Sequence, residues 1–239
     1  MRKPVTLIGG QFRSPHFGTR PYLEDAVALT RKEAPTALYL GAANGDDASF
    51  GAGLCGLIAS AGVADVIWPK LAKRRRDEGK ARDALAQVDF VFVGGGDVEA
   101  GMDVLHRAQL VAAIRAAADR GVVYAGMSAG AIMLGERWIR WPRADAGDAE
   151  AETYECLGLA PCALDCHGEA DGWTEARSFA AVRARELKRR AKVYGVPSGG
   201  ALIARSGGKM LARGEPVPVF AAPPRGTAAI ERTLAAEKT

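Results

Sequence analysis

A mostly parallel, doubly wound α/β sheet is the fold class this sequence predicts, and three observations predict it. Short apolar runs recur along the first half of the chain, segments with helical spacing separate them, and most of the runs end at glycine or another turn residue. Runs of this kind read as strands buried on both faces, and strands alternating with helices imply parallel pairing with helices on each side. With 239 residues, 48% of them hydrophobic and 25% charged, the chain fits one large α/β domain with enough apolar material for a buried sheet.

In chain order, strands are expected at residues 5–8, 37–40, 66–68, 90–93 and 122–125, with helices at 22–34, 50–61, 75–87 and 110–120. Alternation of polar and apolar residues over 137–141 predicts a half-exposed strand, with Trp138 and Trp141 on opposite faces, one packed and one partly exposed. Residues 143–155 are polar, acidic and alanine-rich, and read as a surface loop. A strand at 163–166, a basic helix over 174–190 and a hairpin-like unit over 192–211, turning at Gly207-Gly208, follow. Pro216, Pro218, Pro223 and Pro224 mark an irregular C-terminal tail from about 216. No internal repeat interrupts this order.

Charge and cysteine content narrow the function classes. The net charge of +4 is a mild excess that favours solubility over a polyanionic partner. Lys73-Arg74-Arg75-Arg76 is followed at once by Asp77 and Glu78, without aromatic residues to stack on bases, so it reads as a solvated helix start and no nucleic-acid partner is expected. The first residues lack the apolar run and cleavage site of a signal peptide, and no stretch is long enough to span a bilayer. A cytoplasmic location with four reduced cysteines and no membrane partner is the expectation, with a homo-oligomer left open.

The strongest chemical signal is Gly126-Met127-Ser128-Ala129-Gly130, which follows an apolar strand and precedes a helix-compatible run. A nucleophile elbow needs small residues around the serine so that strand and helix can approach while the hydroxyl stays exposed. Ser128 is the candidate nucleophile, weighed against a plain helix cap. A second strand runs into Gly94-Gly95-Gly96-Asp97, where residues without side chains let amide groups converge on an anion. The Gly96 and Ala129 amides are the candidate oxyanion donors, Asp97 is a candidate N-cap, and Gly95, Asp97 and Glu175 are candidate substrate contacts. Of the three histidines, His106 falls in a helical pattern and His16 in an N-terminal loop. His167 directly follows a strand, at the end where parallel sheets carry their sites, and is the candidate base.

Gly94-Gly95-Gly96-Asp97, the Gly-Met-Ser-Ala-Gly-Ala run at 126–131, an isolated His after a strand, and Gly195-Val196-Pro197-Ser198-Gly199-Gly200 together resemble the S51 peptidases. These include dipeptidase E and, more distantly, cyanophycinase. The resemblance extends from the first strand to about residue 220. It implies a fold similar to the class I glutamine amidotransferases, a flavodoxin-like three-layer sandwich. It also implies Ser128 as nucleophile, His167 as base and Gly96 with Ala129 as oxyanion donors. Dipeptidase E-like sequences carry a Glu in a late Pro-Glu-Gly segment, whereas this chain has Ser198, so the third member of a triad is sought among Ser198, Glu169, Asp171 and Asp165. The aspartate-specific members have an Arg shortly after the His. Here residues 168–176 hold Glu169, Asp171 and Glu175 and no Arg, so neutral or basic substrates are expected rather than acidic ones.

Amidotransferases of this fold carry a Cys at the elbow, and Ser128 argues against thiolate chemistry here. Cys162-x-x-x-Cys166-His167 suggests zinc, but these residues lie on an apolar strand whose side chains alternate between faces, and no second Cys/His pair exists. No metal and no cofactor are expected. The expected function is a serine peptidase or related amidohydrolase acting on a small peptide or amide. The alternative is a non-catalytic ligand-binding relative that has lost the third acid.

Overall fold

The computed structural model describes residues 2–10, 18–73 and 76–237. The chain opens with strand β1 (Val5–Ile8), helix α1 (Arg20–Ala28), strand β2 (Thr36–Leu40), a single 3-10 turn (Ala42–Asn44), helix α2 (Ala48–Ser60) and strand β3 (Asp65–Ile67). Helix α3 (Glu78–Gln87), strand β4 (Phe90–Val93), helices α4 (Val98–Arg107) and α5 (Val111–Asp119), strand β5 (Val123–Met127) and helix α6 (Ala129–Leu134) follow. The second half contributes β6 (Arg137–Arg140), β7 (Glu152–Glu155), β8 (Leu164–Cys166), a 3-10 turn (Glu169–Asp171), α7 (Thr174–Leu187) and β9 (Ala191–Val196). Strands β10 (Ala201–Ala204), β11 (Met210–Arg213), β12 (Val217–Ala222), β13 (Ala229–Leu234) and β14 (Ala236–Glu237) complete the described residues.

Eight of the described strands assemble into one sheet in the order β14-β11-β10-β1-β5-β4-β2-β3. The run from β1 through β5, β4 and β2 to β3 is parallel throughout, while β10 joins β1, and β11 joins β10, antiparallel. Because side chains alternate across a strand, β4 sends Phe90 and Phe92 into one apolar cluster and Val91 and Val93 into the other. Leu23, Val27, Leu54 and Ile58 of α1 and α2 close the Phe side, and Leu85, Leu105, Ile114 and Leu134 of α3 to α6 close the Val side. Each fully buried Phe contributes about 1.5–3 kcal/mol. The fold is therefore mixed α/β with a large, mostly parallel central sheet, as expected.

The structure differs from the sequence expectation in four places. Helix α1 begins earlier, with Pro21 in its first turn, and stops at Ala28, short of residue 34; Arg31 follows in a left-handed conformation, φ 60°. Helix α3 is described from Glu78, and the start expected at Arg75 lies outside the described residues. The surface loop expected over 143–155 ends in β7, which pairs antiparallel with β6 and sets Thr153 opposite Ile139. Trp138 is buried and Trp141, just past β6, is half-buried, as expected, but both pack against the same apolar cluster. The single hairpin expected over 192–211 is instead three strands. β9 leaves for a second sheet, and only β10 and β11 form the hairpin, turning through Gly207 and Gly208 at φ 75° and 78°.

The largest correction concerns the tail from about 216, which is not irregular. Strand β12 lies between β9 and β13 in a four-stranded sheet, order β13-β12-β9-β8, and its Val217, Val219 and Phe220 are fully buried. The prolines are compatible with this because Pro218 lies outside the register with β9, which begins at Val219, and Pro223 and Pro224 come after the strand.

Candidate active site

Strand β5 runs between β1 and β4, and its ladder continues into Ser128, whose N–H donates to Ile8 O at 2.8 Å. There the chain reverses into α6 with Ser128 at φ 54° and ψ −123°. A non-glycine residue in such a conformation costs about 1–3 kcal/mol, and it persists because the surroundings fix it. The flanking glycines are set by close approach. A Cβ on Gly126 would lie 2.5 Å from Gly130 O, and one on Gly130 would lie 2.1 Å from Val93 O. Small residues thus let α6 lie directly on β4 and β5.

Strand β4 is followed by Gly94, whose N–H donates to Leu40 O. A Cβ on Gly95 would meet Ser128 Cβ at 3.3 Å, so this residue lies against the elbow. Gly96 adopts φ 144°, and a Cβ there would sit 2.1 Å from Ala43 O. Among the described residues, neither the Gly96 nor the Ala129 amide has a hydrogen-bond acceptor; both border the same cleft as Ser128. Asp97 caps α4, its Oδ1 accepting from the Ala100 N–H at 2.7 Å.

His167 follows β8 with φ 49°, and its N–H donates to Val196 O at 2.9 Å, which ties it to the end of β9. Its Nε2 lies 2.7 Å from Ser128 Oγ. Burial lowers the imidazole pKa below its ordinary value, opposed by the negative charge of Glu169. A lowered value keeps the ring neutral near pH 7, the state in which a ring nitrogen can accept a proton. His106 is exposed on α4, and His16 lies outside the described residues.

The acids expected near the histidine take different positions. The Glu169 carboxylate accepts a hydrogen bond from the Ser198 N–H. Asp171 Oδ1 instead accepts from the N–H groups of Trp173 and Thr174, at 2.9 and 3.3 Å, at the start of α7. Asp165 is buried on β8, where its Oδ1 accepts from the Cys166 N–H at 2.7 Å. Burial first, and then the Glu175 charge, push its carboxyl up to about 7. Glu175 is itself raised by burial and by Asp171. Asp97, Asp165, Asp171 and Glu175 line a cleft of about 470 Å³ together with Gly96, Ser128, Ala129 and His167. The cleft thus brings the other sequence-expected residues together, whereas Gly95 lies beneath Ser128, and Glu169 and Ser198 are not on the cleft wall.

Asn44 escaped the sequence reading. Its Nδ2 donates to Gly95 O and to Tyr39 Oη, both at 3.0 Å, and so holds the glycine loop from below. The available signal was an Asn beside a glycine just past the carboxyl end of a parallel strand. Trp173 was also missed. A Cβ on Gly168 or Gly195 would lie 2.8 Å from its ring, so both glycines make room for it under the His167 loop. The cysteines are free, and burial pushes the thiols of Cys156 and Cys162 up to about 12, which marks them as inert. Among the described residues no group of three or more His, Cys, Asp or Glu side chains is arranged to hold a metal, and no helix is long and apolar enough to cross a membrane.

The serine on its strained turn and the imidazole thus meet at the carboxyl ends of parallel strands, where doubly wound sheets bind ligands. The profile of peptidase family S51 matches residues 8–211, and the chain belongs to that family. Among solved structures, a peptidase from an acI-B1 Actinobacterium superposes with a TM-score of 0.72 at 18% identity, covering 99% of this chain and 95% of the other. A candidate peptidase E protein from Listeria monocytogenes EGD-e gives 0.63 at 16% identity, covering 90% and 100%. A comparison with curated protein sequences found no match. Family membership makes this chain a peptidase or closely related hydrolase.

Proposed function

We propose that this chain is a serine peptidase that cleaves a small peptide or amide, with Ser128 as nucleophile and His167 as general base. The observation that carries the reading is the 2.7 Å approach of Ser128 Oγ to His167 Nε2 on an elbow bordered by unengaged amides. Ser128 Oγ attacks the substrate carbonyl carbon while its proton passes to Nε2, and the carbonyl oxygen becomes an oxyanion held by the Gly96 and Ala129 N–H groups. Collapse breaks the C–N bond as His167 returns the proton to the leaving amine. Water, deprotonated by the same imidazole, then releases the acyl group and restores the serine.

Four carboxylates border the cleft, and no lysine or arginine does among the described residues. A negatively charged substrate side chain is repelled there, so neutral or basic substrates are the preferred class and Asp-X dipeptides are not. The test uses a fluorophosphonate probe, in which Ser128 Oγ displaces fluoride from phosphorus, followed by a panel of Lys, Ala and Asp aminoacyl reporters. Wild-type protein should label at Ser128, and Ser128→Ala should not. The labelling rate should rise with pH through a midpoint below about 6.5, because burial lowers the imidazole pKa. Lys and Ala reporters should be cleaved at least about tenfold faster than Asp. Reporter hydrolysis that survives Ser128→Ala would refute the assignment.

A further inference from the structure

A long substrate side chain needs a space beside the reaction centre, and the structure supplies one next to the catalytic cleft. A second cavity, of about 430 Å³, shares Asp97, Val98, Trp138 and Glu175 with the Ser128 cleft and so continues it past the amino end of α4. Its remaining wall comes from Glu99 on α4, from β6 and from the segment after β6, through Arg140, Trp141 and Arg143. Both indole rings are held in place by the protein itself. Trp138 is buried edge-on against Phe179 at a ring separation of 5.3 Å, and Trp141 Nε1 donates to Asp148 Oδ1 at 3.3 Å. Rings fixed in this way receive an aliphatic stem or a cation with little ordering cost. The charges of the cavity are unevenly matched. Arg140 is shared by Glu152 at 2.6 Å and Glu99 at 3.3 Å, and Arg143 by Glu150 at 2.9 Å and Asp145 at 3.2 Å. Asp97 and Glu175, by contrast, make no ion pair among the described residues.

The reaction itself sets which half of the substrate faces this cavity. His167 returns its proton to the leaving amine, so the leaving group lies toward His167, Gly168, Ala170 and Asp171 at one end of the cleft. None of these residues borders the second cavity, which meets the cleft at Asp97 and Val98, next to the Gly96 amide. The acyl half is therefore the one that faces it. Building on the serine peptidase reading, we propose that this cavity is the subsite for the side chain of the residue whose carbonyl is attacked, and that it selects a long basic side chain, lysine or arginine. The methylene stem lies along Trp138 and Trp141, and the cationic head meets Asp97, Glu99 and Glu175. A cation beside Glu175 also offsets the burial and the Asp171 charge that raise its carboxyl. An acidic head finds both guanidiniums already paired and unpaired carboxylates next to them.

The experiment uses aminoacyl-coumarin amides of lysine, norleucine and alanine, which share one leaving amine, so that kcat/KM reads the acyl side alone. Wild-type protein should cleave the lysine reporter at least about tenfold faster than norleucine, which keeps the stem and lacks the ammonium, and norleucine at least about tenfold faster than alanine. Trp141→Ala should lower the norleucine-to-alanine ratio by about fivefold or more. Glu99→Gln should lower the lysine-to-norleucine ratio by about threefold, and Arg143→Gln should raise it by about the same factor. All three variants should label with fluorophosphonate within about twofold of wild type, because none of the three residues borders the Ser128 cleft. Should Trp141→Ala fail to fold, the two opposed charge variants carry the test. Equal cleavage of lysine and norleucine, or a lysine preference that none of the variants moves, would overturn the inference. So would a lysine preference on the leaving side, in Ala-Lys against Ala-norleucine dipeptides, that responds to Glu99→Gln. Wild-type protein that never labels at Ser128 would instead overturn the peptidase reading beneath it.

Discussion

Asp165 carries the largest conflict between burial and charge at the site. It is 4% exposed, its Oδ1 accepts from the neighbouring Cys166 amide, and its carboxyl is pushed up to about 7. A carboxyl with a raised folded-state pKa binds more protons folded than unfolded between the two values, so stability falls as pH rises through that window and stays low above it. The span from 3.8 to about 7 corresponds to a cost on the order of 4 kcal/mol once the group is ionised. Asp165→Asn should therefore raise the melting temperature by several degrees near pH 8 and by about nothing near pH 4. Equal shifts at both pH values in calorimetry would show that the charge is not the cause. At this scale Ser128 and His167 were legible because each is marked locally, one by flanking glycines and one by ending a strand. Which of the nearby acids stays charged was not legible, since that depends on burial and on bonds to residues 29 positions away, as between Glu169 and Ser198.

The unit that presents the Gly96 amide, a proposed oxyanion donor, is an element pair, the Gly94–Gly96 loop resting on the 3-10 turn Ala42–Asn44. Asp97 N–H donates to Ala43 O at 2.8 Å, Gly96 tolerates no side chain against that same carbonyl, and Asn44 Nδ2 holds Gly95 O. Losing the Asn44 amide frees the loop without touching Ser128 or His167. Asn44→Ala should slow fluorophosphonate labelling by about tenfold, the size of one weakened hydrogen bond to a developing charge. It should leave the pH midpoint unchanged. Asn44 Oδ1 is buried without a partner among the described residues, and its removal offsets part of the lost bonding. The melting temperature should then move by only a few degrees, and a tenfold faster or unaltered variant would show that the turn does not set the loop. Strand periodicity located the glycine loop in the sequence, but nothing in one dimension says that residue 44 lies beneath residue 95.

Across the whole molecule, the parallel half was readable because each strand is a short apolar run and each crossover an amphipathic helix. The C-terminal third was less so, since its strands β12 and β13 are antiparallel, interrupted by proline and, in β13, largely exposed. Their importance follows from connectivity. His167 sits at the end of β8, β8 pairs only with β9 among the described residues, and β9 is held on its other side by β12. Val217, Val219, Phe220, Ala221 and Ala222 of β12 are buried, and Phe220 packs on Trp173 beneath the His167 loop at a ring separation of 5.9 Å. Losing these side chains removes on the order of 5 kcal/mol or more of apolar burial, comparable to the whole stability of a domain. A chain ending at Glu215 should therefore show no cooperative melting and no Ser128 labelling. A chain ending at Leu234, which gives up only the short pairing of β14 with β11, should keep both. Cooperative melting of the shorter chain within about 5 °C of full length, with Ser128 still reactive, would mean that the imidazole is held by the central sheet alone, against the connectivity described.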